Sequence, residues 1–257
     1  MPASLNELSN PGQRKLDSLF ARLREGAVGG LARLVPQRCA LCGAAAQRSA
    51  LCEACRLALP VLPSRCPVCA QPSTGDAACG ECLRKPPRFA ATVAAHAYAF
   101  PVDRLVQALK YEHRLELALP LGDALADAVL CAPAPFAGVE WVVPLPLSRA
   151  RQRERGFNQA IEIGRIVARR TGLPLARMLS RTVHAPPQAS LPWRERRRNV
   201  HRAFACNHDL AGRHVAVVDD VMTTGATLDA AAAALIAAGA SRVDAWVVAR
   251  TLPPGSR

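Results

Sequence analysis

The feature that most constrains this fold is a cysteine pattern that occurs twice near the start of the chain. Each unit reads C-x2-C-x9-C-x2-C, and the second follows the first by 27 residues. The segment that holds both units has few large apolar side chains, so it cannot bury much core and needs another source of folding energy. The cysteines are Cys39, Cys42, Cys52 and Cys55 in the first unit, and Cys66, Cys69, Cys79 and Cys82 in the second.

Zinc held by four thiolates would supply that energy. Two C-x2-C turns present sulfur atoms at the spacing that a tetrahedral zinc ion requires. We predict two structural zinc ions, one in each unit, while an arrangement in which the units exchange ligands stays open. Redox-active C-x-x-C pairs and disulfides are the alternatives, but four pairs at a fixed repeat fit redox chemistry poorly, and disulfides need an oxidising compartment. Cys131 and Cys206 lack partners in this pattern and are predicted to be small core residues.

From residue 89 onward, apolar runs alternate with helical patterns. This alternation predicts an α/β fold, with a mostly parallel sheet and helices on both of its faces. Ligands on such sheets bind beyond the carboxyl ends of the strands. The predicted strands lie within 92–100, 139–147, 213–220 and 242–250, and the predicted helices within 103–116, 119–132, 158–172 and 226–238.

Two acidic residues end the third apolar run, in the stretch VAVVDDVMTTGAT. Asp219 and Asp220 repel each other when ionised, so the pair needs hydroxyl donors, a metal ion or a cation beside it. The vicinal hydroxyls of a ribose fit that need. The TTGAT turn that follows would present backbone N–H groups and hydroxyls to an anion at a helix N-terminus, and its glycine allows close approach. Together these features predict a pocket for a ribose 5-phosphate group.

Two other interpretations fit parts of this stretch. It is compatible with the acidic strand of a P-loop NTPase, but none of the three lysines follows a glycine, so no G-x-x-x-x-G-K-[ST] motif exists. It is also compatible with an ordinary connection between a strand and a turn, capped by Asp.

The same stretch closely resembles the phosphoribosyl pyrophosphate (PRPP) motif of type I phosphoribosyltransferases. Together with VVPLPLSRARQRERGFNQA, QASLPWRERRRNVHRAF and a closing VVART, all behind the cysteine units, it resembles the ComF family. Members of that family join a double zinc ribbon to a phosphoribosyltransferase-type domain. The resemblance implies a type I phosphoribosyltransferase-like sheet preceded by a small double zinc-ribbon domain. We expect a leader with a short helix at 1–36, the ribbon at 37–86, the phosphoribosyltransferase-like domain at 87–252 and a tail at 253–257.

The resemblance also implies roles for individual residues. Asp219 and Asp220 would hold the ribose hydroxyls, directly or through Mg2+. The 5-phosphate would be bound by Thr223, Thr224, Gly225, Ala226 and Thr227. The loop that cradles pyrophosphate would be Leu145, Pro146, Leu147 and Ser148. Candidates to neutralise the pyrophosphate charge are Arg149, Arg151, Arg155 and Lys110. Segment 183–202 would close over the pocket as a lid, with a solvated basic loop as the alternative.

The positive charge is concentrated in one part of the chain. The net charge is +13, and fourteen arginines face only three glutamates between residues 149 and 202. A stretch of that kind attracts phosphate-rich ligands or nucleic acid, although genomic base composition is an alternative source of the total arginine content. The chain has only eleven aromatic residues with which to stack bases.

The functional expectation is therefore a phosphoribosyltransferase that uses Mg-PRPP and is linked to competence and DNA uptake or utilisation. The alternatives are an adaptor that binds single-stranded DNA and DNA-uptake proteins, and a sensor that binds PRPP without turning it over. No apolar stretch is long enough to span a membrane. The N-terminus lacks the apolar core of a signal peptide, which predicts a cytoplasmic location.

Overall fold

The fold is known from a computed structural model that describes residues 37–46, 49–74, 77–132, 138–182 and 203–253. Both cysteine units contain little regular structure. The first has a short antiparallel pair, β1 (Gln37–Arg38) with β2 (Ala45–Ala46), followed by helix α1 (Glu53–Leu57). The second ends in helix α2 (Gly80–Arg84). Both helices begin directly after the third cysteine of their unit, so that their first turn carries the fourth.

A four-stranded parallel sheet forms the centre of the rest of the chain. Its strands are β3 (Thr92–Ala97), β4 (Trp141–Pro144), β7 (His214–Met222) and β8 (Arg242–Arg250), in the spatial order β3-β8-β7-β4. The inner strands β7 and β8 are almost continuous apolar runs because helices cover both faces of the sheet. The predicted parallel α/β sheet is confirmed.

Alternate side chains of the strands enter two separate cores. Helices α3 (Val102–Tyr111), α4 (Ala118–Leu130) and α6 (Gln159–Thr171) pack on the face that carries Ala216 and Val218. Helix α7 (Ala226–Ala237) packs on the opposite face, with Val215 and Val217. A short 3-10 turn, Leu115–Leu117, leads into α4. Each predicted strand and helix of this region has its counterpart in these elements.

A helix and a pair of strands beside the predicted pyrophosphate loop were not predicted. Helix α5 (Arg149–Arg155) begins after Ser148, whose Oγ accepts the Arg151 N–H at 3.3 Å, and it ends at Gly156 with φ of 71°. Its sequence, RARQRER, has no apolar period, so only the caps indicated a helix. Strand β5 (Leu179–Arg181) pairs antiparallel with β6 (Phe204–Cys206), and the two strands flank segment 183–202.

The expectation for the two unpaired cysteines is wrong for Cys131, which is exposed. Cys206 is half-buried and packs against the core that contains Phe204 and Leu210. Cys131 is the C-cap residue of α4. It follows the last helical residue and is not part of the helix face that packs on the sheet. The predicted leader helix, the predicted lid and residues 254–257 lie outside the described residues. Among the described helices, none combines the length and hydrophobicity needed to cross a lipid bilayer.

Candidate functional site

The two cysteine units form two separate sulfur clusters. Within each cluster the four Sγ atoms lie no more than 4.8 Å apart. Cys42 and Cys52 approach to 3.6 Å in the first cluster, and Cys69 and Cys79 approach to 3.6 Å in the second. Sulfur atoms around a tetrahedral zinc ion are separated by about 3.8 Å, given a Zn–S bond of about 2.3 Å. The ligands therefore pair within each unit rather than between units, and the donor set suits zinc.

One sulfur in each cluster is prepared to ionise. Burial disfavours the Cys39 thiolate, but backbone amides including those of Cys52 and Cys42 donate to it and lower its pKa to about 6. Burial likewise opposes ionisation of Cys66, yet backbone amides including that of Cys79 lower its pKa to about 7. The Cys79 N–H lies 3.3 Å from Cys66 Sγ. Amide donors favour the thiolate form, which is the form that binds metal.

The acidic pair lies near the carboxyl end of β7, at the edge of the sheet where ligands bind. Asp220 is 3% exposed, and its Oδ2 forms an ion pair with Lys110 Nζ from α3. The Asp220 N–H donates to Asp219 Oδ1 at 2.9 Å. Burial and the neighbouring Asp220 carboxylate raise the pKa of Asp219 well above its usual range, against the opposing effect of the Asp220 amide and Lys110. Asp219 is therefore the member of the pair that lacks a direct cationic partner among the described residues.

The predicted phosphate-binding turn directly follows this strand. Gly225 has φ of 80° and occupies the N-cap position of α7, and the Ala226 N–H donates to Thr224 Oγ1 at 3.3 Å. A Cβ atom at Gly225 would lie 2.7 Å from Cε of Met222, the movable end of that side chain, so it is the positive φ that favours glycine here. Thr223, Thr224 and Thr227 are exposed. The hydroxyls are thus accessible to a ligand beside the acids.

The predicted pyrophosphate loop lies on the neighbouring strand. Pro144 of β4 pairs with Val218, and the Leu145 N–H donates to the Val218 carbonyl at 2.9 Å. Asn158 Nδ2 donates to the Leu145 carbonyl at 3.0 Å, while its Oδ1 accepts the Ala160 N–H at the start of α6. Asn158 thus connects this loop to α6, which gives the RGFNQ run a structural role that its sequence did not reveal.

A cleft of about 730 Å³ opens beside that loop. Its lining includes Pro146, Leu147, Arg149, Arg153 and Arg177, so three arginines line one cavity. This arrangement suits an anion.

The structure brings some of the predicted arginines to the loop and not others. Arg149 lines the cleft. Arg155 is buried, donates to Gln159 Oε1 at 3.1 Å and lies 5.0 Å from the Tyr111 ring centroid. Arg151 is exposed.

Three arginines were absent from the predicted set. Arg177 and Arg153 line the cleft, and Arg181 of β5 lies near Arg151 and Asp219. Burial and Arg151 lower the pKa of Arg181, while Asp219 opposes that shift. Nothing distinguishes these three from the other arginines of the basic stretch. Arg250 was also missed, although a charged residue that ends an otherwise apolar strand is a usable signal.

Comparisons with known proteins agree with this arrangement. A double zinc ribbon domain matches residues 30–83, and a phosphoribosyl transferase domain matches residues 118–252. DNA utilization protein YhgH of Salmonella typhi is 34% identical over 222 residues, which are 83% of this chain and 90% of that protein. Competence protein F of Haemophilus influenzae is 30% identical over 209 residues, which are 79% and 91% of the two chains. The chain belongs to the ComF family.

Solved structures resemble this ComF-family chain only weakly. A glutamine PRPP amidotransferase from B. subtilis, complexed with ADP and GMP, aligns with a TM-score of 0.38 and 17% identity over 51% of this chain and 26% of that one. Adenine phosphoribosyltransferase from Leishmania tarentolae aligns with a TM-score of 0.36 and 13% identity over 65% and 77%. The family therefore rests on the sequence matches and not on these alignments.

The sulfur clusters predict the metal content of this ComF protein. We expect two zinc ions per chain, and one in each of the variants Cys52→Ser and Cys79→Ser, because each removes one thiolate from one cluster. Elemental analysis of protein purified without added chelator measures this. A content below one ion in the unmodified chain would exclude closed four-sulfur sites.

The raised pKa of Asp219 predicts a stability cost that grows with pH. The folded state holds this proton more tightly than the unfolded chain, so stability is lost as pH rises from the unfolded pKa toward the folded one. Asp219→Asn should therefore raise the melting temperature by a few degrees, and the gain should grow as the pH rises above the ordinary pKa of a carboxyl, about 4.

Thermal unfolding of zinc-loaded protein tests this expectation. Asp209→Asn is the matched control, because Asp209 is exposed and an Asn there can still accept the Ala211 N–H. A gain that does not vary with pH, or an equal gain in the control, would contradict a raised carboxyl pKa at position 219.

Proposed function

We propose that this chain binds Mg-PRPP at the carboxyl edge of β4 and β7 and acts as a phosphoribosyltransferase. One observation carries the proposal. The acidic pair, the glycine-led turn and the loop Leu145–Ser148 meet at one edge of the sheet, as a sugar diol, a 5-phosphate and a pyrophosphate would require. The family membership supports the same ligand class.

The two residues predicted to bind the ribose, Asp219 and Asp220, are able to bind a metal cation as well as the neighbouring hydroxyls of the sugar. Asp219 offers carboxylate oxygens, the ligands that Mg2+ prefers, and its raised pKa reflects a charge that burial and Asp220 disfavour. Lys110 already compensates Asp220, so one added cation balances the pair. When bound, Mg2+ supplies positive charge to the pyrophosphate oxygens. Asp219 would hold it, and Asp220 would accept from a ribose hydroxyl.

The residues around the other end of the ligand suit a leaving group. In the transfer, the bond between ribose C1 and the pyrophosphate oxygen breaks, and its electron pair leaves with pyrophosphate. A lone pair of the acceptor forms the new bond to C1, and the acceptor then releases a proton. Positive charge develops on the sugar near the carboxylates, while Arg149 and the backbone of Leu145–Ser148 lie where negative charge increases. Such preorganised electrostatics are usually the largest catalytic contribution.

Calorimetry tests the binding step. We expect PRPP to bind the zinc-loaded chain in the presence of Mg2+, and the double variant Asp219→Asn/Asp220→Asn to bind at least about tenfold more weakly, because it loses both anionic oxygens. Asp209→Asn should bind as the unmodified chain does. Absence of any binding heat with folded protein would remove the proposal. Measurement of pyrophosphate release against nucleobases and small amines then separates an enzyme from a PRPP sensor.

A second candidate function is binding of single-stranded DNA. The observation that favours it is the position of Tyr111, whose ring lies against the Arg155 guanidinium while the residue stays 62% exposed. Phe157 and His113 form an edge-on pair nearby in sequence and space, with ring centroids 6.0 Å apart. An exposed ring beside a basic helix can stack a base while arginines neutralise phosphates. The names of the two relatives, DNA utilization protein and competence protein, agree with this candidate.

Fluorescence anisotropy with a labelled oligothymidylate tests this candidate. We expect affinity to fall steeply with salt, and Tyr111→Ala to weaken binding by roughly tenfold because one stacked base contributes about 1–3 kcal/mol. Tyr111→Phe should retain binding, and Leu130→Ala is a control at an exposed apolar residue on α4. Affinity that does not respond to salt, or none at low salt, would exclude it.

A further inference from the structure

We propose that the second cysteine cluster holds the turn Thr223–Thr227 in its ligand-binding shape, and that Arg250 is the positioning residue that connects them. The identity of the ligand rests on the proposed function above, whereas the connection rests on contacts between described residues. No contact of Arg250 with substrate is implied.

Arg250 is a buried cation whose hydrogen bonds reach from one feature to the other. It is the last residue of β8 and is 2% exposed. Its Nε donates to the carbonyl oxygen of Cys69 at 2.8 Å, inside the second cluster. Its Nη1 donates to the carbonyl of Met222 at 2.9 Å and also to that of Thr223, the first residue of the turn. One side chain therefore joins a metal-ligand residue to the backbone that leads into the phosphate-binding turn.

The cluster also supplies the charge that a buried guanidinium needs. The acceptors of Arg250 include four backbone carbonyls, among them that of Thr251 at 3.0 Å. Arg250 contacts Cys69, whose sulfur belongs to the cluster with Cys66, Cys79 and Cys82. Four thiolates around a divalent ion keep a net negative charge. The loaded cluster is thus the electrostatic partner of Arg250, and removal of its sulfur ligands would leave a buried positive charge less compensated.

Further bonds fasten the second cluster to the sheet. The Thr92 N–H donates to the Pro67 carbonyl at 3.0 Å, and Thr92 Oγ1 donates to the Val68 carbonyl at 2.5 Å. Gln71 Nε2 donates to the Thr251 carbonyl at 3.2 Å. Ala70 is fully buried in the core that contains Met222. These bonds fix the position of the Cys69 carbonyl relative to β3 and β8.

The first cluster has no comparable connection in the part of the chain that the structure describes. There, the hydrogen bonds given for residues 37–59 stay within that unit. Its contact with the rest of the chain is apolar, with Cys39 and Leu51 in the core that contains Val93. The two clusters are therefore equivalent in sequence and different in their contacts, and this difference makes the proposal testable.

Met222 connects Arg250 to the glycine of the turn, because its carbonyl accepts from Arg250 and its side chain lies next to Gly225. Met222 is 2% exposed, and its Cε lies directly under Gly225, where a Cβ atom would come within 2.7 Å. A shift of the Met222 backbone would therefore also move the side chain that packs next to Gly225. Because Gly225 is the N-cap residue of α7, the same shift would change the direction of the N–H groups that are available to an anion.

Hydrogen exchange of the full-length, zinc-loaded chain tests the proposal without any ligand. In Arg250→Lys, which keeps the charge but loses the planar fork, amides of residues 222–227 should exchange at least about tenfold faster. Arg242→Lys is the matched control, because Arg242 begins the same strand and pairs with Asp244 at the other end. Cys79→Ser should have the effect of Arg250→Lys, while Cys52→Ser should leave these amides unchanged. Zinc content and the exchange of β4 and the rest of β7 control for global unfolding.

The outcomes are distinguishable from those of the proposed function. Unchanged exchange at 222–227 in folded Arg250→Lys and Cys79→Ser would overturn the inference, and so would equal effects of Cys79→Ser and Cys52→Ser. If Arg250→Lys fails to fold, the comparison of the two cysteine variants decides. PRPP affinity should fall about tenfold in Arg250→Lys and Cys79→Ser only. If the unmodified chain binds no PRPP but exchange responds as expected, the positioning role stands and the proposed function falls.

Discussion

Charge buried at the carboxyl edge of the sheet is the constraint on which the rest of this structure depends. Asp220 and Arg250 are both almost fully buried at the ends of inner strands, where an unpaired charge is costly. Asp220 is compensated by Lys110 from α3, and Arg250 by carbonyls and the nearby cysteine cluster. Each compensation recruits a different part of the chain. The edge is consequently held in place by a helix on one side and by a metal-type cluster on the other.

This arrangement gives the cysteine region a role beyond its own folding. A small segment with little apolar core gains folding stability from bound metal. A segment of that kind can fold as a separate module that only a linker joins to the sheet. Instead, the second cluster shares hydrogen bonds with β3 and with the residues that follow β8. The first cluster is attached through apolar contacts. Duplicated sequence units have therefore acquired different structural positions, one of them next to the candidate ligand site.

The arginines of helix α5 are divided between the cleft and a buried contact. Helix α5 places Arg149 and Arg153 in the cleft, while Arg155 turns inward against Tyr111. Different residues of one short helix thus line a cavity and form a buried contact. The same cleft borders the loop Leu145–Ser148, so anion-binding capacity is concentrated at one side of the acidic pair. A phosphorylated sugar and a nucleic-acid strand would both meet positive charge here, so the same surface suits either ligand.

The sequence by itself determined the sheet, its flanking helices and the two cysteine clusters. Short apolar runs rich in valine that alternate with helical patterns indicate buried parallel strands, and C-x2-C spacing constrains where sulfur atoms lie. It also identified the acidic pair and the turn, because these are contiguous. Contacts between distant segments were decided by tertiary structure alone. The pairing of Lys110 with Asp220, the inward turn of Arg155 and the link from Arg250 to Cys69 each join residues that no local pattern relates. Among so many arginines, only packing determines which guanidinium faces a cavity and which one is buried.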